Sequence, residues 1–186
     1  VATFGTSAIA ANAVGNTIAM FQIIPGLAIG MAMVSVTAQC VGARDYEQVK
    51  YYYKKLMKIA YATMFLINLI VVALLPVLIK LYNLGTEAAE ITRWIIIFHA
   101  ICACLIWPLS FCIPNTLRAA NDVKFCMVVS IISMWVVRIA PSYVLAGNLG
   151  LGVKGVWIGM ILDWCVRSLF FVIHYKRGKW IPKQYR

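Results

Sequence analysis

Three side chains in the last third of the sequence could do chemistry in an apolar setting: Arg138, Asp163 and Arg167. Each lies well inside an apolar run long enough to cross a bilayer as a helix, which takes about 20 residues. An unpaired charge at such depth costs several kcal/mol, so it must be paired, hydrated or able to reach the interface. The two runs join at Asn148-Leu149-Gly150-Leu151-Gly152. Arg138 and Asp163 each lie roughly 12 residues from the middle of that turn, which sets them at similar depth in antiparallel helices. Arg167, four residues after Asp163, shares its helix face. The spacing therefore predicts an intramembrane charge group of Arg138, Asp163 and Arg167. Such a group is either a structural pair or, with Asp163 as the only deep acid, a protonation and transport site.

Uncharged polar residues form a second set. Asn16 and Gln22 lie in a long run that also holds Pro25-Gly26, a pair expected to kink a helix and let a neighbour approach closely. Their amides donate and accept without fixed charge, which suits substrate contact and helix–helix bonding equally. His99 sits about two turns in from the end of its run and reads as a hydrated core histidine or a proton relay. The six cysteines (Cys40, Cys102, Cys104, Cys112, Cys126, Cys165) all fall in or at the ends of apolar runs. They show no metal-ligand or redox spacing. Without a nucleophile–base set either, the expectation is no enzyme, no metal and no cofactor.

Composition says what must position these residues. Hydrophobic residues make up 63% of the 186 and charged ones 12%, against about 45–50% and 25% in soluble domains. Mean hydropathy is +0.86. This is an all-α polytopic membrane protein. Spans are predicted at 12–41, 59–79, 94–117, 125–146 and 155–173, with basic loops at 42–58 and 118–124 and a basic tail at 176–186. The uncharged run 1–43 is too long for one span. A break around Gly5-Thr6-Ser7 therefore leaves 1–4 as the end of a preceding span, in a chain that reads as a piece of something larger.

The net charge of +11 raises the question of nucleic acid, but its distribution answers otherwise. Twelve Lys and Arg lie in the loop at Arg44, the loop at Arg118 and the tail, whereas the intervening loops hold Lys80, Arg93 and Lys154. By the positive-inside bias the tail and the two basic loops are cytoplasmic. Lys50, Lys54, Lys55 and Lys58, beside Tyr51-Tyr52-Tyr53, are placed to meet anionic lipid headgroups.

Several short motifs, in this order, resemble the multidrug and toxic-compound extrusion (MATE) family. They are Gly5 with Ala8, Ala10 and Ala11; Gln39-Cys40-Val41-Gly42-Ala43; and Leu117-Arg118-Ala119-Ala120-Asn121-Asp122. Arg138-Ile139-Ala140-Pro141, Gly150-Leu151-Gly152-Val153-Lys154-Gly155-Val156-Trp157 and Gly178-Lys179-Trp180 continue the series. Asn121 stands where the family commonly has Gly, and Asn tolerates the same turn conformation. The resemblance implies the C-terminal lobe of a twelve-helix transporter, five spans plus the end of a sixth. It further implies a secondary antiporter that exports organic, often cationic, compounds against inward H⁺ or Na⁺ by alternating access. The N-terminal half of the same transporter would be its partner. The spans 12–41 and 94–117 hold no Asp or Glu, so the resemblance puts the coupling acid elsewhere or gives the task to another residue. Two other readings stay open: a lipid-linked saccharide flippase of the related superfamily, which needs a strongly cationic cavity, and a non-transporting membrane subunit.

Overall fold

A computed structural model describes residues 4–183. The helices are α1 (Thr6–Gly42), α2 (Tyr46–Leu81), α3 (Thr86–Leu105), α4 (Trp107–Ala119), α5 (Val123–Ile132), α6 (Ala140–Tyr143) and α7 (Gly152–Lys176). Two π-helical segments, Ser133–Ile139 and Val144–Asn148, join α5, α6 and the final turn. Among the described residues, five stretches are long and apolar enough to cross a membrane: Thr6–Gly42, Tyr46–Leu81, Thr86–Leu105, Val123–Asn148 and Gly152–Lys176. The chain is an all-helical integral membrane protein.

The element boundaries depart from expectation for local reasons. The first helix starts at Thr6 rather than near Asn12, after Gly5 at φ 91°. Its run is uninterrupted through Pro25. The proposed preceding span at 1–4 falls mostly on residues 1–3, outside the described residues. The basic segment 42–58 is not a loop: only Ala43–Asp45 turn, and helix resumes at Tyr46. Asp45 caps it, its Oδ1 accepting from Gln48 N–H at 3.0 Å, and a solvated helix carries lysines as readily as a loop does. At 36 residues, α2 is about 54 Å long, well beyond the ~30 Å of hydrocarbon. Its lysine-bearing turns therefore project from the bilayer.

The span expected at 94–117 begins at Thr86 and breaks at Ile106. Pro108 there has no N–H to continue the ladder. The stretch Val123–Asn148, the fifth span when the span end expected at 1–4 is counted as the first, is not regular either. Pro141 lacks the donor for its own turn, and the backbone ahead of it widens into the π segment Ser133–Ile139. Such single-turn expansions are uncommon and concentrate at functional sites. Asn121 adopts φ 68°, the turn conformation that Asn tolerates.

The core runs as three layers along the bundle. One gathers Ile18, Ile95, Ile96 and Trp157; the next Met33, Met64, Trp107 and Trp164; the last Leu117, Phe171, Trp180 and Ile181. The last layer closes the lysine-rich end. Trp180 folds back, donates from Nε1 to the Tyr175 carbonyl at 3.1 Å and stacks on the Tyr175 ring. Part of the expected basic tail is thus packed; residues 184–186 lie outside the described ones. Helix α1 packs on α2, α3 and α4, whereas the fifth span leans mainly on α7. Only 11% of the fifth span's apolar window is buried, which leaves one of its faces open.

Candidate functional site

Two polar centres are built into this bundle. The first joins α1, α2 and α3. Gln22 is fully buried and His99 is 2% exposed. The sequence singled out both separately, and packing α1 on α3 brings His99 Nδ1 to 2.6 Å from Gln22 Oε1. Asn68 of α2 donates to the Gln22 carbonyl at 3.3 Å and to the Met64 carbonyl at 2.8 Å. Its own Oδ1 has no partner among the described residues. The edges of His99 meet Trp157 and Trp164 of α7 at 5.5 Å each. The imidazole is therefore where α1, α3 and α7 meet, and Asn68 ties in α2 through the Gln22 backbone, an arrangement suited to holding the helices in register or to passing a proton. Asn16 is not part of it and points outward, exposed. At helical spacing, six residues put Asn16 and Gln22 more than a right angle apart.

The second centre lies between α7 and the fifth span. Asp163 is fully buried, and the charge trio predicted around it is only partly formed. Arg167 Nη1 lies 3.6 Å from Asp163 Oδ2, but Arg138 makes no ion pair with Asp163. The residue of the π segment that faces Asp163 is Ser133, and counting residues from the turn does not fix rotation about the helix axis. Arg167 wins because four residues of α-helix place it on the same face automatically. Arg138 stands instead at the exposed rim of the π segment. There it lines an open groove of about 640 Å³ with Phe4, Met134, Ser142, Tyr143 and Val156.

The neutral partner of Asp163 is Ser133, which sequence reasoning passed over. Its Oγ lies 2.5 Å from Asp163 Oδ1 and 3.5 Å from the Asp163 carbonyl. The available signal was Pro141, whose missing donor disturbs the helix that carries Ser133. On the far side of Arg167, the guanidinium lies over the Phe111 ring, 4.6 Å from its centroid.

Glycines allow this contact. A methyl on Gly155 would stand 2.7 Å from backbone atoms of Leu145 and Ala146, and one on Gly159 would strike Ser142. Small residues four apart on α7 thus form the strip on which the fifth span lies. Likewise a methyl on Gly26 would run into Trp107. That assigns the Pro25-Gly26 pair a close-packing role. Among the described residues no group of three His, Cys, Asp or Glu gathers as a metal site.

Comparison with known proteins agrees with this architecture. The "Uncharacterized transporter YisQ" of Bacillus subtilis is 27% identical over 185 residues, covering 98% of this chain and 40% of its own length. The "Probable multidrug resistance protein NorM" of Oceanobacillus iheyensis is 30% identical over 160 residues, 86% of this chain and 35% of its own. The chain therefore spans about two fifths of the length of the curated relatives it matches. A solved inward-facing multidrug resistance MATE family transporter of the MOP superfamily superposes with a TM-score of 0.68 at 25% identity. That match covers 92% of this chain and 41% of the other. The profile of the MatE family matches residues 1–144, and with it the five crossing helices and their order find one explanation: the chain belongs to the MatE family.

Proposed function

We propose that this chain is one lobe of an exporter of small organic compounds, often cationic, that works by alternating access and is driven by inward H⁺ or Na⁺. The observation that carries the reading is a family-typical lobe whose polar side chains are gathered inside it rather than scattered. Gln22, Asn68 and His99 are held between helices, and Asp163 and Arg167 between α7 and the fifth span. A second lobe, supplied by the same protein, would complete the central cavity. Lys50, Lys54, Lys55 and Lys58 on the projecting turns of α2 would meet anionic headgroups on the cytoplasmic side of the plasma membrane. The tail lies on that side too.

The flippase alternative requires a strongly cationic cavity. In the groove beside the fifth span Arg138 is the one charged lining residue among the described ones, which favours the multidrug reading. The test is transport by the full-length protein in liposomes. An imposed H⁺ or Na⁺ gradient should drive the movement of ethidium, and a lipid-linked saccharide should not move. Saccharide-lipid translocation without ethidium movement would replace this reading with the flippase.

A further inference from the structure

The contacts of Asp163 are not those of a settled ion pair. A structural carboxylate–guanidinium bridge makes charge-assisted bonds at about 2.7–2.9 Å, commonly two of them. Here the approach is 3.6 Å. Asp163 Oδ2 and Arg167 Nε are both buried without a hydrogen-bond partner among the described residues. Arg167 has a second partner in the face of Phe111, so it can hold its charge without the carboxylate.

Ser133 shows the complementary freedom. Its hydroxyl carries one hydrogen but faces two acceptors, Asp163 Oδ1 at 2.5 Å and the Asp163 carbonyl at 3.5 Å. If the carboxylate is ionised, Ser133 O–H donates to Oδ1. If Oδ1 carries a proton, Asp163 donates to Ser133 Oγ, and the hydroxyl turns its hydrogen to the carbonyl. Both protonation states are hydrogen-bonded through one bond rotation. A group that takes up and releases a proton away from water needs that property.

Resting on the exporter reading above, we propose that Asp163 is a proton-binding site of this lobe, with Ser133 as its two-way hydrogen-bond partner and Arg167 as its movable counter-charge. The step is H⁺ uptake at Oδ1 and its later release; no other bond is made or broken. The charged and titratable groups around it are Arg167 on its own helix, Arg138 on the π segment and Arg118 on α4, the latter two felt electrostatically by Arg167. Beyond these, His99 lies on the other side of Trp164, and the Cys102 and Cys165 thiols interact across α3 and α7. Among the described residues no second carboxylate shares the site. Ser133 opens the π segment Ser133–Ile139, so a proton at Asp163 acts directly on the first of the two irregular stretches of the fifth span.

The experiment uses the full-length protein in liposomes and reads the ratio of ethidium flux with and without a pH gradient. In the wild type this ratio should exceed one severalfold. In Asp163→Asn it should fall to about one, since an amide cannot take up and release the proton. Ser133→Ala should lower the ratio and Ser133→Thr restore it, an outcome that a packing role for the hydroxyl would not give. The proposal is overturned if Asp163→Asn keeps the wild-type ratio, or if Asp163→Asn/Arg167→Gln recovers the ratio lost in Asp163→Asn. Should Asp163→Asn fail to fold, infrared difference spectra across a pH titration decide. The carboxyl band must shift in Asp163→Glu and change in Ser133→Ala; a band indifferent to both refutes the site. A wild type that moves no ethidium under either condition instead refutes the exporter reading, and the infrared result then judges the proton site separately.

Discussion

Replacing Gly155 by alanine should separate the fifth span from α7. The added methyl would stand 2.7 Å from both Ala146 N and Leu145 C, and 2.8 Å from Ala146 Cα. These are backbone atoms, so no side chain can swing aside. Ordinary contact begins at 3.4 Å, so the two helices must part by about 0.7 Å, which forfeits a quarter to a half of each dispersion contact along the strip. Overpacking of this kind costs about 1–3 kcal/mol. Gly147→Ala is the matched control: a methyl there meets nothing within 4 Å. It should be neutral or stabilise by about 0.4–1 kcal/mol through the unfolded chain. The assay is thermal unfolding of the detergent-purified full-length protein, with Gly155→Ala expected to melt several degrees lower. If Gly155→Ala melts with the wild type while Gly147→Ala does not exceed it, the close strip is not what holds the fifth span.

Three more outcomes are expected. Arg167→Gln removes the counter-charge of a buried carboxylate whose contact is 3.6 Å and which can instead hold a proton against Ser133, and should cost about 1–3 kcal/mol. Arg138→Gln, which breaks no ion pair, should stay within about 0.5 kcal/mol; equal losses in chemical unfolding would restore the pair suggested by helix depth. Gln22→Leu strips His99 Nδ1 of its acceptor at a cost of about 1–3 kcal/mol. Gln22→Leu/His99→Phe should lose less than the two single changes together, a coupling that thermal unfolding can measure. Finally, single cysteines at Lys54 and Lys183 in a cysteine-free background should react from one side of the membrane with an impermeant maleimide, and those at Thr86 and Lys154 from the other. Labelling of both position 183 and position 86 from the same side would refute the three crossings placed between them.

The polar residues show how far pattern alone reaches. Gln22, His99, Asp163 and Arg167 stood out because polar side chains within apolar runs must find partners, whatever the fold. Which partner each finds was legible only for Asp163 and Arg167, where four residues of one helix fix the geometry. The union of Gln22 with His99, 77 positions apart, needed the packing of α1 on α3. Ser133 went unnoticed because a hydroxyl in an apolar run is unremarkable until the helix around it changes pitch. The basic stretch after Arg44 misled for the opposite reason. Charge reports on contact with water, and a helix projecting from the bilayer meets water as fully as a loop.

By itself, then, the sequence determined the solvent of each segment, the number of crossings and the lysine-rich end, because hydrocarbon tolerates neither free backbone polar groups nor scattered charge. Only the tertiary structure decided rotation and register. It turned Arg138 into a groove instead of toward Asp163, aimed Asn16 outward, and set Gly155 and Gly159 against the fifth span. Those outcomes depend on how helices sit against one another and on two π-helical stretches whose pitch no count of residues along an ideal helix can supply.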